Sequence, residues 1–360
     1  MDFTKKGAVK AQKELVSKLP RNRRKLNISV FKIILVLVLA IVIVGVGAGF
    51  GALKGILDDT PNINADALIP KGYKTTLVYQ NGKEITTLAN SNSNREYVYY
   101  DSIPEDLVNA FVAIEDRRFW EHNGIDVQGI ARAFVQGLKN GGNFDEGAST
   151  LTQQLIKNNV FNVGLNESTF LDKLERKVQE QYLAVDMEKK IDKKSIVEYY
   201  LNTIYLGEGC YGVETAAKTY FGKELSQLSV SECAVLAAIP QNPTKYDPLL
   251  SPDDNKTRRT QVLKYMLDLE YITQAQYDEA INDNVYKRIA SVSKKEEKEQ
   301  KTEVNSYYTD EVIKQLQNDL VAKGYSEDEA ESLIWSGGLK VIVCQDPEIQ
   351  EIADSVGNDT

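Results

Sequence analysis

The sequence predicts a mainly α-helical protein with a small N-terminal β-hairpin, preceded by one transmembrane helix. Three observations support this fold class. Residues 33–53 form an uncharged apolar run. Residues 75–79 and 84–88 are rich in β-formers and flank an Asn81-Gly82 turn signal, which predicts a hairpin. Beyond residue 104, apolar residues recur mostly with the spacing of amphipathic helices.

The apolar run 33–53 is the predicted transmembrane helix. At about 1.5 Å per residue it extends roughly 31 Å, which is enough to cross the hydrocarbon core of a bilayer. Residues 1–32 hold ten Lys/Arg and two Asp/Glu, whereas the rest of the chain holds 33 basic and 50 acidic residues. The positive-inside rule therefore predicts a cytoplasmic tail at 1–32 and, after a connector at 54–70, an extracytoplasmic domain. The acidic body of the chain argues against a nucleic-acid binder.

The helices follow one another with recognisable starts and stops. Pro104 begins the first, Asp126 caps the second, and Gly207 stops the fifth. In the long helix 171–190, the apolar positions Leu171, Leu174, Val178 and Val185 are predicted to face inward. The predicted helices span residues 104–118, 127–140, 150–158, 171–190, 194–206, 213–221, 229–239, 257–269, 273–282 and 307–323, a charged segment at 293–302 is a solvated helix end or linker, and 337–343 is a strand.

Cysteine and histidine residues give little sign of a metal or disulfide framework. Cys210, Cys233 and Cys344 are too few and too scattered, and we expect small buried side chains instead. His122 is the single histidine, which excludes a site with two or three histidine ligands within one chain. We interpret His122 as a structural donor near the turn at Gly124.

Two carboxylates stand out by their positions on predicted helices. Glu115 follows Ile114 at the end of an apolar helix pattern, where a carboxylate at the edge of an apolar wall can serve as a general base. Taken alone, such an acidic and basic helix end is more often a solvated tip. Glu180 shares a helix face with Arg176, four residues earlier, which is either an ordinary surface ion pair or a cation beside a carboxylate at an anionic ligand.

A polar stretch at 147–158 runs directly into a helix. Free backbone N–H groups and the positive end of the helix dipole at such a start suit an anion. Taken alone, Ser149 and Thr150 equally fit a plain helix cap. The stretch also supplies amides and a cation, namely Gln153, Gln154 and Lys157.

With these residues in place, the chain resembles the glycosyltransferase (transglycosylase) domain of class A penicillin-binding proteins. Five motifs of that family occur in order over roughly residues 71–285, and we place the domain at 71–290. They are EDRRFWEHNGID (115–126), GASTLTQQLIKN (147–158), RKVQE (176–180), YLNTIYLGEGCYGVETAAKTYFGK (200–223) and SECAVLAAIPQNPTKYDP (231–248).

The resemblance implies a lysozyme-like, mainly helical fold at the outer face of a bacterial cytoplasmic membrane. It implies polymerisation of lipid II into β-1,4 glycan strands, with release of undecaprenyl pyrophosphate and inversion at the anomeric carbon. Glu115 would be the catalytic base, and Glu180 would assist at the donor pyrophosphate. The implied substrate-binding residues are Asp116, Arg118, Ser149, Thr150, Gln153, Gln154, Lys157, Asn158, Arg176 and Lys177.

The resemblance implies no obligatory cofactor and leaves open a divalent cation, Mg²⁺ or Mn²⁺, at Glu180. The implied partners are lipid II, the growing glycan strand and the cytoplasmic membrane, with divisome or elongasome proteins as further candidates. Apolar residues at 160–165 and at Phe170 and Leu171 are expected to dip into the lipid headgroups.

Residues 337–352 resemble the start of a linker towards a transpeptidase domain. We therefore interpret 291–360 as linker, and the chain as the N-terminal part of a bifunctional protein without its transpeptidase domain. Two other functions stay open: a non-catalytic, membrane-anchored cell-wall scaffold, and a lytic lysozyme-like glycosidase that uses Glu115 as a general acid.

Overall fold

The computed structural model describes residues 4–90, 93–139, 147, 149–161, 169–289 and 307–358. The chain separates into two compact units, Met1–Pro61 and Asn62–Thr360. Each unit is described by itself. The charged segment predicted at 293–302 lies outside the described residues.

The first unit is built on helix α1, Lys5–Asp58, which begins after a cap at Thr4. The predicted transmembrane segment 33–53 lies within α1, and several of its side chains fall outside the described residues. Among the described residues, no helix combines the length and the apolar character needed to cross a membrane.

The second unit is mainly helical, as predicted. Its helices recur at the predicted positions, with bounds that differ by a few residues. Two helices near the C-terminus, α12 and α13, were not predicted. The helices are α2 (Glu105–Glu115), α3 (Val127–Lys139), α4 (Leu151–Asn159), α5 (Phe170–Met187), α6 (Lys193–Thr203), α7 (Val213–Phe221), α8 (Val230–Ala237), α9 (Pro252–Asp268), α10 (Gln274–Asn282), α11 (Tyr307–Ala322), α12 (Glu327–Ser336) and α13 (Pro347–Asn358).

Helix α2 lies at the centre of the main hydrophobic core. Every residue at 107–113 is buried, so this helix is enclosed by its neighbours α8 and α9. Phe111 meets the buried ring of Tyr200 on α6 edge to face, with ring centroids 6.2 Å apart. Burial of α2 on all sides fixes where its last residue, Glu115, projects.

Helix α5 corrects one prediction. Leu171 and Leu174 are 70% and 47% exposed, so the predicted inward face is wrong at the start of the helix. The buried residues of α5 all lie in its second half, at Gln179–Met187. Periodicity identifies an apolar face, but it does not tell how much of that face a neighbouring helix covers.

The predicted hairpin is confirmed, and it belongs to a larger sheet. Strands β1 (Thr75–Val78) and β2 (Glu84–Leu88) pair antiparallel, with Thr75 opposite Leu88. Strand β3 (Lys340–Ile342) adds to β1 in parallel, giving the order β2-β1-β3. The strand predicted at 337–343 starts later than expected, at Lys340. Gly337 still belongs to the end of α12, where it is the C-cap residue.

A second, smaller hydrophobic cluster lies under this sheet. Its buried members are Leu77, Leu88, Ile334 and Val343, and side chains of α11 pack against them. The hairpin at the start of the unit is thus packed against residues near its end.

Candidate active site

Glu115 is the last residue of α2 and is held by two other elements. The chain leaves the helix at Asp116, where φ is −156°. The Glu115 side chain is 11% exposed. Its Oε2 accepts a hydrogen bond from Gln154 Nε2 at 2.9 Å, and its Oε1 lies 3.3 Å from a terminal nitrogen of Arg258. Both carboxylate oxygens therefore have a donor on a different helix.

Tyr200 supports the orientation of Gln154. Burial raises the pKa of the Tyr200 phenol well above its usual value, and the carboxylates of Glu115 and Asp116 add to the rise. The hydroxyl therefore keeps its proton and donates to Gln154 Oε1 at 3.4 Å. That bond leaves the amide nitrogen of Gln154 to face Glu115.

At the start of α4, the backbone N–H groups of Leu151 and Gln153 are hydrogen-bonded to protein side chains. Thr150 and Gln153 form a capping box, in which the Thr150 hydroxyl oxygen accepts from the backbone N–H of Gln153. Asp116 Oδ2 accepts from the backbone N–H of Leu151 at 3.0 Å. The expectation that this helix start offers free N–H groups to an anion is therefore wrong at Leu151 and Gln153. The Thr150 hydroxyl also donates to Gly124 O at 2.8 Å, which joins this helix cap to the turn that follows Asp116.

Asp116 and His122 form a buried pair beside this cap. The His122 Nε2 atom lies 3.0 Å from both carboxylate oxygens of Asp116. His122 is thus a structural donor, as predicted, and Asp116 joins it to α4. The turn that follows needs glycine: Gly124 has φ of +89°, and a Cβ there would lie 2.6 Å from the backbone of Ala184 in α5.

Arg118 contacts the residue before α3 instead of Glu115. Its guanidinium pairs with Asp126, whose carboxylate also accepts the backbone N–H of Gly129 at 2.7 Å in the first turn of α3. In this arrangement Arg118 positions the start of α3.

Glu180 is fully buried on α5, and its carboxylate pairs with two cationic side chains. It pairs with Arg176 through Oε1 and with Lys177 through Oε2, the latter at 2.6 Å. Lys177 also donates to Ser149 Oγ at 3.0 Å, which joins α5 to the residues before α4. Full burial excludes the alternative of an ordinary surface ion pair.

The described residues hold no cluster of three or more His, Cys, Asp or Glu side chains suited to a metal ion. Both oxygens of Glu180 already face cations, so its surroundings do not fit a divalent cation, and we derive no step through one. The divalent cation remains a prediction.

These elements enclose a cleft of about 320 Å³. Of the predicted site residues, it brings together Glu115, Asp116, Ser149, Thr150, Gln154, Lys157 and Lys177. Arg118, Gln153 and Glu180 contact residues that line it, Arg176 pairs with Glu180, and Asn158 is exposed outside it. Among the described residues that line it are five cationic side chains and three carboxylates: Arg117, Arg132, Lys157, Lys177 and Arg258, with Glu115, Asp116 and Asp126.

Sequence reasoning missed several lining residues. Arg258 is the most important, because it contacts Glu115 from a position 143 residues away in the sequence. Arg117 lies over the ring of Tyr265, 3.4 Å from its centroid, and both line the cleft. Helical spacing predicts α9 but carries no signal for which of its side chains reaches α2.

Comparison with known proteins finds a matching family model and similar proteins. A family model described as Transglycosylase matches residues 81–267. Penicillin-binding protein 1A of Aquifex aeolicus is 42% identical over 259 residues, which cover 72% of this chain and 32% of that protein. Penicillin-binding protein 1F of Bacillus subtilis is 38% identical over 280 residues, which cover 78% of this chain and 36% of that protein. The chain is therefore similar over most of its length to penicillin-binding proteins.

The chain belongs to the transglycosylase family, as the glycosyltransferase domain of class A penicillin-binding proteins. It spans about a third of the length of the relatives named above. A crystal structure of penicillin-binding protein 1A from Haemophilus influenzae aligns with 80% of this chain and 29% of its own, at 21% identity and a TM-score of 0.37. That score is too low to compare the two folds in detail.

Proposed function

We propose that the cleft is a glycosyltransferase active site that polymerises lipid II into β-1,4 glycan strands and releases undecaprenyl pyrophosphate. One observation carries the proposal: Glu115 lies in a cleft whose lining has more cations than carboxylates. A sugar donor activated by pyrophosphate brings negative charge, and its departure creates more. A carboxylate base surrounded by cations suits that combination.

In the proposed reaction, Glu115 takes the proton from the 4-hydroxyl of the acceptor GlcNAc. The hydroxyl oxygen attacks the anomeric carbon of the donor strand, and the bond from that carbon to the pyrophosphate oxygen breaks. The electron pair leaves with the pyrophosphate, and attack from the opposite face converts the α-linkage to a β-1,4 glycoside. Glu115 ends the step protonated.

Lys157 and Lys177 are the cations we propose for the leaving group. In the part of the chain that the structure describes, the ammonium group of Lys157 has no hydrogen-bond or ion-pair partner, so it is available to an anion. Lys177 is partly neutralised by Glu180, which fixes its position at the edge of the cleft. Glu180 is therefore proposed to act by holding Lys177 at the edge of the cleft, with Arg176 paired to the other carboxylate oxygen.

A membrane-bound substrate fits the exposed start of α5, the helix that also carries Lys177. Phe170 and Leu171 at the start of α5 are 77% and 70% exposed. Exposed apolar side chains of this kind suit contact with lipid headgroups. The anchor, its topology, the location at the cytoplasmic membrane, and any divisome or elongasome partner remain predictions.

The test is polymerisation of labelled lipid II in detergent, with the products separated on a gel. Glu115→Gln is compared with wild type and with Glu121→Gln, a matched change at an exposed glutamate six residues away. We expect long strands from wild type and from Glu121→Gln, and none from Glu115→Gln.

The two other functions give different products. Shortening of pre-made strands by wild type would indicate a lytic glycosidase. No reaction with either substrate, from wild type or from Glu121→Gln, would indicate a non-catalytic scaffold.

A further inference from the structure

Arg258 contacts Glu115 from outside the five sequence motifs on which the family resemblance rests. It lies on α9, and its side chain is 11% exposed. Its guanidinium carbon lies 5.3 Å from the centroid of the Tyr246 ring, so the ring supports one face of the planar group. A terminal nitrogen then reaches Glu115 Oε1 at 3.3 Å.

The next residue on the same helix shows what a purely structural arginine looks like here. Arg259 is 1% exposed, donates to Ser231 Oγ at 3.0 Å and to Ile281 O at 3.2 Å, and lies over Tyr286. Its hydrogen bonds join α9 to α8 and α10. Arg259 does not line the cleft, whereas Arg258 does.

Arg258 has a much narrower set of contacts. Among the described residues, Glu115 is its one hydrogen-bond partner, and its buried Nε atom has none. An arginine with five N–H donors that keeps a single acceptor contributes little to holding helices together. Its position is better explained by the carboxylate that it faces.

A second hydrogen bond, from Gln154, acts with Arg258 to orient the Glu115 carboxylate. Gln154 holds Oε2 from α4 while Arg258 holds Oε1 from α9. Two donors on separate helices fix the plane of the carboxylate, and each oxygen keeps a lone pair for a proton. A general base works only when it lies within hydrogen-bond reach of the proton that it takes.

We infer that Arg258 is the positioning residue of Glu115, which holds the carboxylate in the orientation that accepts the proton. This inference rests on the proposed function of the cleft. Arg258 acts through Glu115 and not by binding the substrate anion, so its loss lowers turnover and leaves substrate binding nearly unchanged.

The experiment measures kcat and KM for lipid II polymerisation by the full chain in wild type and three variants. Arg258→Gln removes the charge, Arg258→Lys keeps a charge without the planar fork, and Lys256→Gln is a matched change at an exposed position of the same helix. For Arg258→Gln we expect kcat to fall roughly 10- to 100-fold, because a misplaced base loses orientation. We expect KM to stay within about twofold.

We expect Arg258→Lys to recover part of the lost kcat, and Lys256→Gln to match wild type. The double variant Glu115→Gln with Arg258→Gln should be no slower than Glu115→Gln alone, because residues that act as a unit are not additive.

Four results would overturn the inference. A raised KM with unchanged kcat would make Arg258 a substrate-binding residue. An equal loss in Arg258→Gln and Arg258→Lys, with a matching fall in Tm, would make it structural. Unchanged kinetics in Arg258→Gln, with normal polymerisation by wild type, would refute the positioning role and leave the proposed function intact. No polymer from wild type would instead refute the proposed function and the role of Arg258 with it.

Discussion

The helical core around the cleft and the three-stranded sheet are stabilised in different ways. The core is large, and it combines helix pairs that are close in sequence, such as α4 with α5 and α8 with α9, with distant pairs, such as α2 with α8 and α9. The sheet joins residues from the two ends of the unit, with the core helices between them in sequence, as in the bond from Leu339 N to Thr75 Oγ1 across 264 residues. Among the described residues, its own cluster has four buried members.

This difference predicts which of the two regions depends on the other for its stability. Bringing distant segments together costs loop-closure entropy, and that cost falls once the intervening chain has folded. The sheet is therefore expected to need the helical core, whereas the core does not need the sheet to close its own contacts.

Residues 93–96 connect the two regions. Ser93 donates to Trp335 O at 2.6 Å on the sheet side. The Arg95 guanidinium lies between the rings of Tyr73 and Tyr211, 5.8 Å and 5.2 Å from their centroids. Lys218 on α7 pairs with Glu96. Any change that separates the regions should act through these contacts.

The largest expected effect comes from a matched pair of core truncations. Phe111→Ala should destabilise the helical core by about 3–5 kcal/mol, because it leaves a cavity beside Tyr200. Leu77→Ala should cost about 2–5 kcal/mol within the sheet cluster. Denaturant unfolding measures the totals, and hydrogen exchange followed by mass spectrometry locates them.

In this comparison, Leu77→Ala should increase exchange in the sheet and in α11–α12 while α2 and α8 stay protected. Phe111→Ala should increase exchange in both regions. Equal loss of protection everywhere in Leu77→Ala would contradict the proposed order of dependence.

A smaller effect is expected at two matching helix caps. Thr150 and Thr273 each form a capping box, at the starts of α4 and α10. Replacement of either by alanine should cost about 1 kcal/mol. Thr150 also donates to Gly124 O, so only Thr150→Ala should shift α4 and lower the rate of polymerisation. Measurement of Tm and kcat in both variants checks this, and an equal fall in kcat would argue against a special role for the α4 cap.

The smallest expected effect is a pH dependence where the regions meet. Burial, followed by a hydrogen bond with the Glu224 carboxyl, raises the pKa of Glu214 from its usual 4.5 to about 7. The folded state therefore binds a proton that the unfolded chain releases, and this contribution to stability is complete below pH 4.5 and is lost as the pH rises towards 7.

Glu214→Gln keeps the uncharged form at every pH. We expect the Tm of Glu214→Gln, relative to wild type, to rise between about pH 5 and about pH 8. Glu121→Gln should show no such trend. A flat difference for Glu214→Gln would show that Lys218, 3.1 Å away, keeps Glu214 ionised in the folded state.

Much of the fold was predictable because its signals are local. β-forming residues on both sides of Asn81-Gly82 gave the hairpin, and Asp126, Thr150 and Thr273 marked helix starts that the structure confirms. Part of the cleft was predictable for the same reason, since Ser149, Thr150, Gln154 and Lys157 lie in one short stretch. The orientation of Leu171 and Leu174 was not, because it depends on how far a neighbour extends.

The sequence by itself determined the helical class, the hairpin, the family and the stretches that supply Glu115 and Lys157, because each depends on residues close together in the chain. Only the tertiary structure decided that β3 pairs with β1, that Asp116 closes the start of α4, and that Arg258 reaches Glu115. Those contacts depend on how separate elements pack, and packing is set by the shapes of many side chains at once, so no short stretch of sequence encodes it.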